Sequence, residues 1–156
     1  MISRLIATST PAALSSFETL ATGYLLDTNV ISETRKTRAD KGVLAFLSAA
    51  ETAGLFLSVL TLGELRKGVA AKHRTDPAAA DRLVAWVDGI ETTFADRVLP
   101  IDAAIARCWG ELSANRSLPV IDTLIAATAI SHGLTLVTRN TRDVEATGVQ
   151  LVDPWR

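Results

Sequence analysis

The chain has 156 residues, 48% of them hydrophobic, and a formal net charge of −1. A chain of about 150 residues buries roughly 70% of its unfolded surface, which supports one core and leaves little room for two independent domains. The apolar residues are spread out, so neither a disordered tail nor a membrane span of ~18–20 apolar residues is expected. The near-neutral charge carries no global signature of nucleic-acid binding, such as a pI above ~9, so contact with a polyanion has to come from local clusters.

In chain order, residues 1–23 hold Arg4, a short apolar stretch and many Ser, Thr and Ala. Thr8, Ser9, Thr10 and Pro11 interrupt the continuous apolar run that a signal peptide needs. This segment reads as a loosely ordered arm ahead of one domain over 24–156. Residues 24–26 read as a buried strand ending at Asp27. A helix follows over 28–36, with Thr28 or Asn29 able to cap it, then a charged loop over 35–41. A helix is expected over 43–51, a strand over 55–59 introduced by Gly54, and a helix over 61–73 carrying Glu64. The basic residues near its end, Arg66, Lys67, Lys72, His73 and Arg74, also suit the helix dipole.

Asp76 as N-cap and Pro77 at the first position open a helix to about Phe94. Pro100 marks the strand over 98–101 as an edge or an end. Asp102 caps a helix to about Arg116, and Pro119 opens another that Gly133 stops after His132. A strand over 134–138, a helical turn over 140–145 and a strand over 149–152 complete the pattern. Strands separated by helices predict a mostly parallel sheet of four to five strands with helices on both faces, an α/β/α fold. Cys108, the single cysteine, excludes an internal disulfide, reads as a packing residue and fits a reducing cytoplasmic setting. His73 and His132 are poorly spaced for zinc.

Three acids stand out. Asp27 closes an apolar strand, where ligands of parallel sheets bind, although an N-cap role explains it as well. Asp122 is the one charge in a segment over 120–130 that is apolar nearly all round. It therefore needs a metal, a cation or a proton, with the helix dipole as partial compensation. Glu64 is a lone acid among apolar neighbours, with a salt bridge to Arg66 or Lys67 as the plain alternative. Asn140, at a strand end like Asp27, can offer a fourth oxygen to a metal or a water, and Asp143 one helical turn later could serve instead or be simply a solvated residue of a charged turn. Acids from separate segments aimed at one crevice match a Mg²⁺ or Mn²⁺ site, where the cation can orient a phosphodiester and activate a water. Arg35, Lys36, Arg38, Arg66, Lys67, Arg116, Arg139 and Arg142 are available for phosphate, or are simply solvated. The net charge then reads as a cancellation between a crevice of acids and a basic rim.

At these positions the sequence resembles the PIN-domain ribonucleases, in particular VapC-type toxins of type II toxin–antitoxin systems in their FitB-like branch. The resemblance is carried by Tyr24-Leu25-Leu26-Asp27-Thr28-Asn29-Val30-Ile31-Ser32-Glu33 and by Ser58-Val59-Leu60-Thr61-Leu62-Gly63-Glu64-Leu65-Arg66-Lys67-Gly68. Pro119-Val120-Ile121-Asp122-Thr123-Leu124-Ile125-Ala126-Ala127-Thr128-Ala129 follows, then Thr138-Arg139-Asn140 and the closing Asp153-Pro154-Trp155. Four motifs in order span 24–156. The resemblance implies a PIN-like fold and Asp27, Glu64 and Asp122 as the catalytic, metal-holding acids. The family's fourth position falls on Asn140 rather than an Asp, with Asp143 nearby. Thr28 or Thr138 would orient water or phosphate. The resemblance further implies Mg²⁺- or Mn²⁺-dependent cleavage of RNA leaving a 5′-phosphate, a homodimer, and a VapB-like antitoxin that blocks the site. Two rivals remain. One is a PIN-like module that binds RNA or protein without cutting. The other is a haloacid-dehalogenase-type phosphatase, which would need an Asp where Asn29 stands.

Overall fold

The computed structural model describes residues 23–50 and 54–156. The arm expected over 1–23 lies outside these residues except for Gly23, and so does Glu51, the expected end of the second helix. The elements run β1 (Tyr24–Leu26), α1 (Thr28–Glu33), α2 (Lys41–Ala50), β2 (Leu55–Ser58), α3 (Val59–His73), α4 (Pro77–Thr93) and β3 (Val98–Leu99). They continue with α5 (Ala103–Ser113), α6 (Val120–His132), β4 (Thr135–Val137), α7 (Thr141–Val144), a 3-10 turn (Glu145–Thr147) and β5 (Leu151–Val152).

The five strands form one sheet in the order β3-β2-β1-β4-β5. Every pairing is parallel. Side chains alternate across a strand, and the two halves of the core follow that alternation. Leu26, Leu55, Leu57 and Val137 face one way, onto Val30, Ile31, Val43, Leu65, Val87, Ile90 and Phe94. Leu25 and Leu136 face the other way, onto Ile125, Ala126, Ala129 and Val144. Helices α1 to α4 thus cover one face and α6 and α7 the other, giving the expected three layers. The edge position of β3 agrees with Pro100 just beyond it.

Several boundaries differ from expectation for local reasons. Helix α1 stops at Glu33, and its N-cap is Asp27, whose carboxylate accepts the Thr28 N–H, not Thr28 or Asn29. Helix α3 starts at Val59, two residues early, because the Ser58 hydroxyl caps it by accepting the Leu60 N–H at 3.2 Å. Asp76 and Asp102 cap α4 and α5 as expected. Gly133 ends α6 at φ +64°, a left-handed conformation that suits glycine. Helix α6 is not buried all round. Its stretch from Thr123 to Ala129 is largely buried, but Val120 and Ile121 in the first turn are exposed.

Candidate active site

In open parallel sheets the strand order reverses at a switch point, and ligands bind there beyond the carboxyl ends of the strands. Here the reversal lies between β1 and β4. Asp27 follows β1 and Thr138 follows β4, and the two are joined across the sheet by the Asp27 N–H donating to the Val137 carbonyl at 3.0 Å.

The buried Asp27 carboxylate does two jobs. One oxygen caps α1, accepting the Thr28 N–H at 2.7 Å. The other accepts the Thr138 hydroxyl at 2.6 Å and the Asn29 side-chain amide at 2.8 Å. The cap reading therefore holds for one oxygen, while the other is held by Thr138 and Asn29 at the switch point. Thr138 is a buried hub, also accepting from the Asn140 N–H at 3.0 Å and the Asn29 amide at 3.3 Å. Glu64 enters from the second turn of α3 and accepts the Thr28 hydroxyl.

Asp122 enters from the opposite side, in the first turn of α6. Its carboxylate accepts the Asn140 side-chain amide at 3.4 Å, and the same amide donates to Asp143 at 2.6 Å. Both residues left open for the fourth position thus converge on Asp122. Its carboxyl is pushed above the usual range, first by burial and then by the charges of Asp27, Glu64 and Asp143. Among the described residues, none of Asp27, Glu64, Asp122 and Asp143 has a basic ion-pair partner.

A cavity of about 10 Å³ lies among Asp27, Asp122, Ile125, Leu136, Thr138, Asn140 and Val144. That is about the room one water-sized sphere needs. No three His, Cys, Asp or Glu side chains close into a ligating group among the described residues. The donor set fits a hard cation that uses one or two carboxylates and keeps several waters, rather than one caged wholly by protein.

The cationic candidates divide. Arg66 is engaged by acids of the neighbouring helix. It joins α3 to α4 through Asp88 at 2.7 Å and Glu91 at 2.8 Å, and these two acids hold its guanidinium protonated beyond its ordinary range. The salt bridge weighed as the alternative for Glu64 is not made among the described residues. Lys36 pairs with Glu33 at 2.6 Å, and Arg116 donates to the Ala146 carbonyl. Arg139 is exposed, lies over the Trp155 ring at 5.6 Å, and gives its backbone N–H to the Asn29 side chain at 3.4 Å. Arg35, Arg38, Lys67 and Arg142 are exposed.

Sequence reasoning missed Asn29, which ties Asp27 to Thr138. It also missed Glu33, a buried acid accepting from Lys36 and, at 3.0 Å, from the Asp40 N–H. The Lys three residues after Glu33 was the available signal.

The PIN domain family model matches residues 24–148. The chain is 38% identical over 139 residues to the VapC ribonuclease Y4jK of Sinorhizobium fredii, covering 84% of this chain and 96% of that protein. It is 34% identical over 138 residues to the toxin FitB of Neisseria gonorrhoeae, covering 84% and 97%. Among solved structures, the crystal structure of FitAcB from Neisseria gonorrhoeae superposes with a TM-score of 0.77 at 33% identity, covering 85% of this chain and 99% of that one. A DNA-bound VapBC from Salmonella typhimurium gives 0.67 at 26%, covering 85% and 98%. With four ordered motifs, a switch-point cluster of acids and these relatives, the chain belongs to the PIN-domain family, in the branch of the VapC and FitB toxins.

Proposed function

We propose that this protein is the toxin of a type II toxin–antitoxin pair, an endoribonuclease that cleaves RNA phosphodiester bonds with the help of Mg²⁺ or Mn²⁺. The observation that carries the reading is the set of acids at the switch point that no basic side chain among the described residues neutralises. Such a set calls for a cation from solution.

Asp27 and Asp122 are the residues to hold the metal, with Glu64 beside them and Asn140 and Asp143 behind Asp122. A divalent cation bound there supplies positive charge to the phosphate and favours loss of a proton from water. The chain's own part is positional. Thr138 and Asn29 fix the Asp27 carboxylate, Thr28 holds Glu64, and Asn140 keeps Asp143 against Asp122. In this reading Glu64 completes the metal site or takes a proton from the attacking water. The Asn29 amide is committed to Asp27 and Thr138, which leaves no second acid of the phosphatase type at that position.

The same reading makes the protein a cytoplasmic homodimer whose site is blocked by a small VapB-like antitoxin. No helix among the described residues is long and apolar enough to cross a membrane. The test is cleavage of RNA and of a small phosphomonoester with Mg²⁺ and with EDTA. Metal-dependent cutting of RNA alone supports the reading. Hydrolysis of the monoester instead favours a phosphatase, and RNA binding without cutting favours a non-catalytic module.

A further inference from the structure

Another concavity lies away from the acids. It is a cleft of about 730 Å³ between the loop after α1 and helix α4, and its lining includes Arg35, Lys36, Arg38, Lys41 and Trp86. Four cations and no acid line it, in a chain whose net charge is −1. The two acids nearby are turned elsewhere. Glu33 is buried beneath the loop and holds Lys36 and the Asp40 N–H. Asp40 accepts the Gly42 and Val43 N–H groups at the start of α2. Lys36 is thus partly neutralised, while Arg35, Arg38 and Lys41 have no ion-pair partner among the described residues.

Resting on the ribonuclease reading, we propose that this cleft is a substrate subsite that holds the phosphate chain of the RNA strand flanking the point of cleavage. Arg35, Arg38 and Lys41 contact phosphate, and the Arg35–Trp86 pair takes an unpaired base. Two observations favour RNA over an acidic peptide. The Arg35 guanidinium lies 5.7 Å from the Trp86 ring centroid, a planar cationic surface of the kind on which unpaired bases stack. The cleft is also linked to the acids. Helix α1 carries Asp27 and Thr28 at one end and runs into the cleft loop at the other. Its six residues span about 9 Å at ~1.5 Å each, a distance that a few nucleotides of a single strand cover. Arg139 donates its backbone N–H to Asn29 beside the acids.

The experiment measures binding of a fluorescent uridine oligonucleotide to the full chain in EDTA across a salt series. It compares wild type with the triple variant Arg35→Gln, Arg38→Gln, Lys41→Gln. A second triple variant, Arg74→Gln, Arg82→Gln, Arg107→Gln, removes the same charge from exposed positions outside the cleft. A phosphate contact on a single strand contributes about 0.7 to the slope of log K against log salt, so losing three lowers it by about 2 and weakens binding about tenfold or more at low salt. The expected result is that drop in the cleft variant alone, with the melting temperature retained. An unchanged slope, or an equal drop in both variants, overturns the proposal. So does a cleft variant that keeps RNA binding but loses a polyglutamate peptide held by wild type, which assigns the cleft to an acidic protein segment. Binding is read without hydrolysis, so wild-type protein that binds RNA through the cleft but never cuts it refutes the ribonuclease reading while leaving the cleft assignment intact.

Discussion

Replacing Thr138 with Val removes one hydroxyl from the point where β1 and β4 meet. The side chain keeps its shape and loses its polarity, which is not a neutral exchange in a buried site. The hydroxyl donates to Asp27 at 2.6 Å and accepts from the Asn140 N–H at 3.0 Å. A hydrogen bond to a charged group contributes about 1.5–3 kcal/mol, and the half-buried Asn140 N–H left unpaired adds about 1. The variant should therefore lose roughly 2–4 kcal/mol, and at about 2–4 °C per kcal/mol for a domain of this size its melting temperature should fall by roughly 5–15 °C. Asp27 keeps Asn29 as a partner, so the fold survives but the carboxylate is less well aimed. Loss of such a supporting partner typically costs about 10–100-fold in metal affinity. The assay is thermal unfolding in EDTA followed by Mg²⁺ titration, with Thr138→Ser as the variant that keeps the hydroxyl. A Thr138→Val protein that melts within about 1 °C of wild type and takes Mg²⁺ equally well refutes the reasoning.

Other substitutions test separate parts of the structure. The Glu33 carboxyl sits below its ordinary range, chiefly because Lys36 donates to it. Its contribution to stability is therefore present above the unfolded value and is lost as pH falls through the lowered folded one. Glu33→Gln should flatten the acid limb of stability against pH, measured by chemical denaturation. Asp122 has the opposite sign: its raised folded value favours the protonated, folded form below the ordinary carboxylate range, and that gain is lost as pH rises through the raised value. The metal-free Asp122→Asn protein should thus unfold at neutral pH no earlier than wild type. Gly42→Ala should destabilise by about 1–3 kcal/mol, because a Cβ there collides with the backbone carbonyl of Pro154, an obstacle that no side-chain rotation relieves. Arg66→Ala should lower the melting temperature yet leave the salt slope of RNA binding unchanged, since its partners are Asp88 and Glu91.

The order of elements was legible because strands buried on both faces of a parallel sheet read as short apolar runs, and because Asp76, Asp102 and Gly133 are local signals that act where they stand. Helix starts were less so. Val59 is β-branched and reads as the end of a strand, but the Ser58 hydroxyl one residue earlier turns the chain into α3. The exposed first turn of α6 was hidden for a different reason: periodicity cannot say that Val120 and Ile121 stand at the rim of a crevice rather than in the core. Of the site, Asp27, Glu64 and Asp122 were visible as acids in apolar surroundings. Whether Asn140 or Asp143 joins them depends on a side chain that reaches both Asp143 and Asp122, and spacing alone leaves that open. Arg66 illustrates the limit most plainly, since its partners lie on the next helix, 22 and 25 residues along the chain.

The most direct test of the central claim is RNA cleavage by purified Asp122→Asn protein in saturating Mg²⁺, with folding checked by its melting curve. A metal-dependent ribonuclease built on Asp27, Glu64 and Asp122 predicts a folded variant with cleavage reduced by about a thousandfold or more, as befits a site whose charge stabilisation is worth several kcal/mol. Undiminished Mg²⁺-dependent cleavage by that folded variant would contradict it.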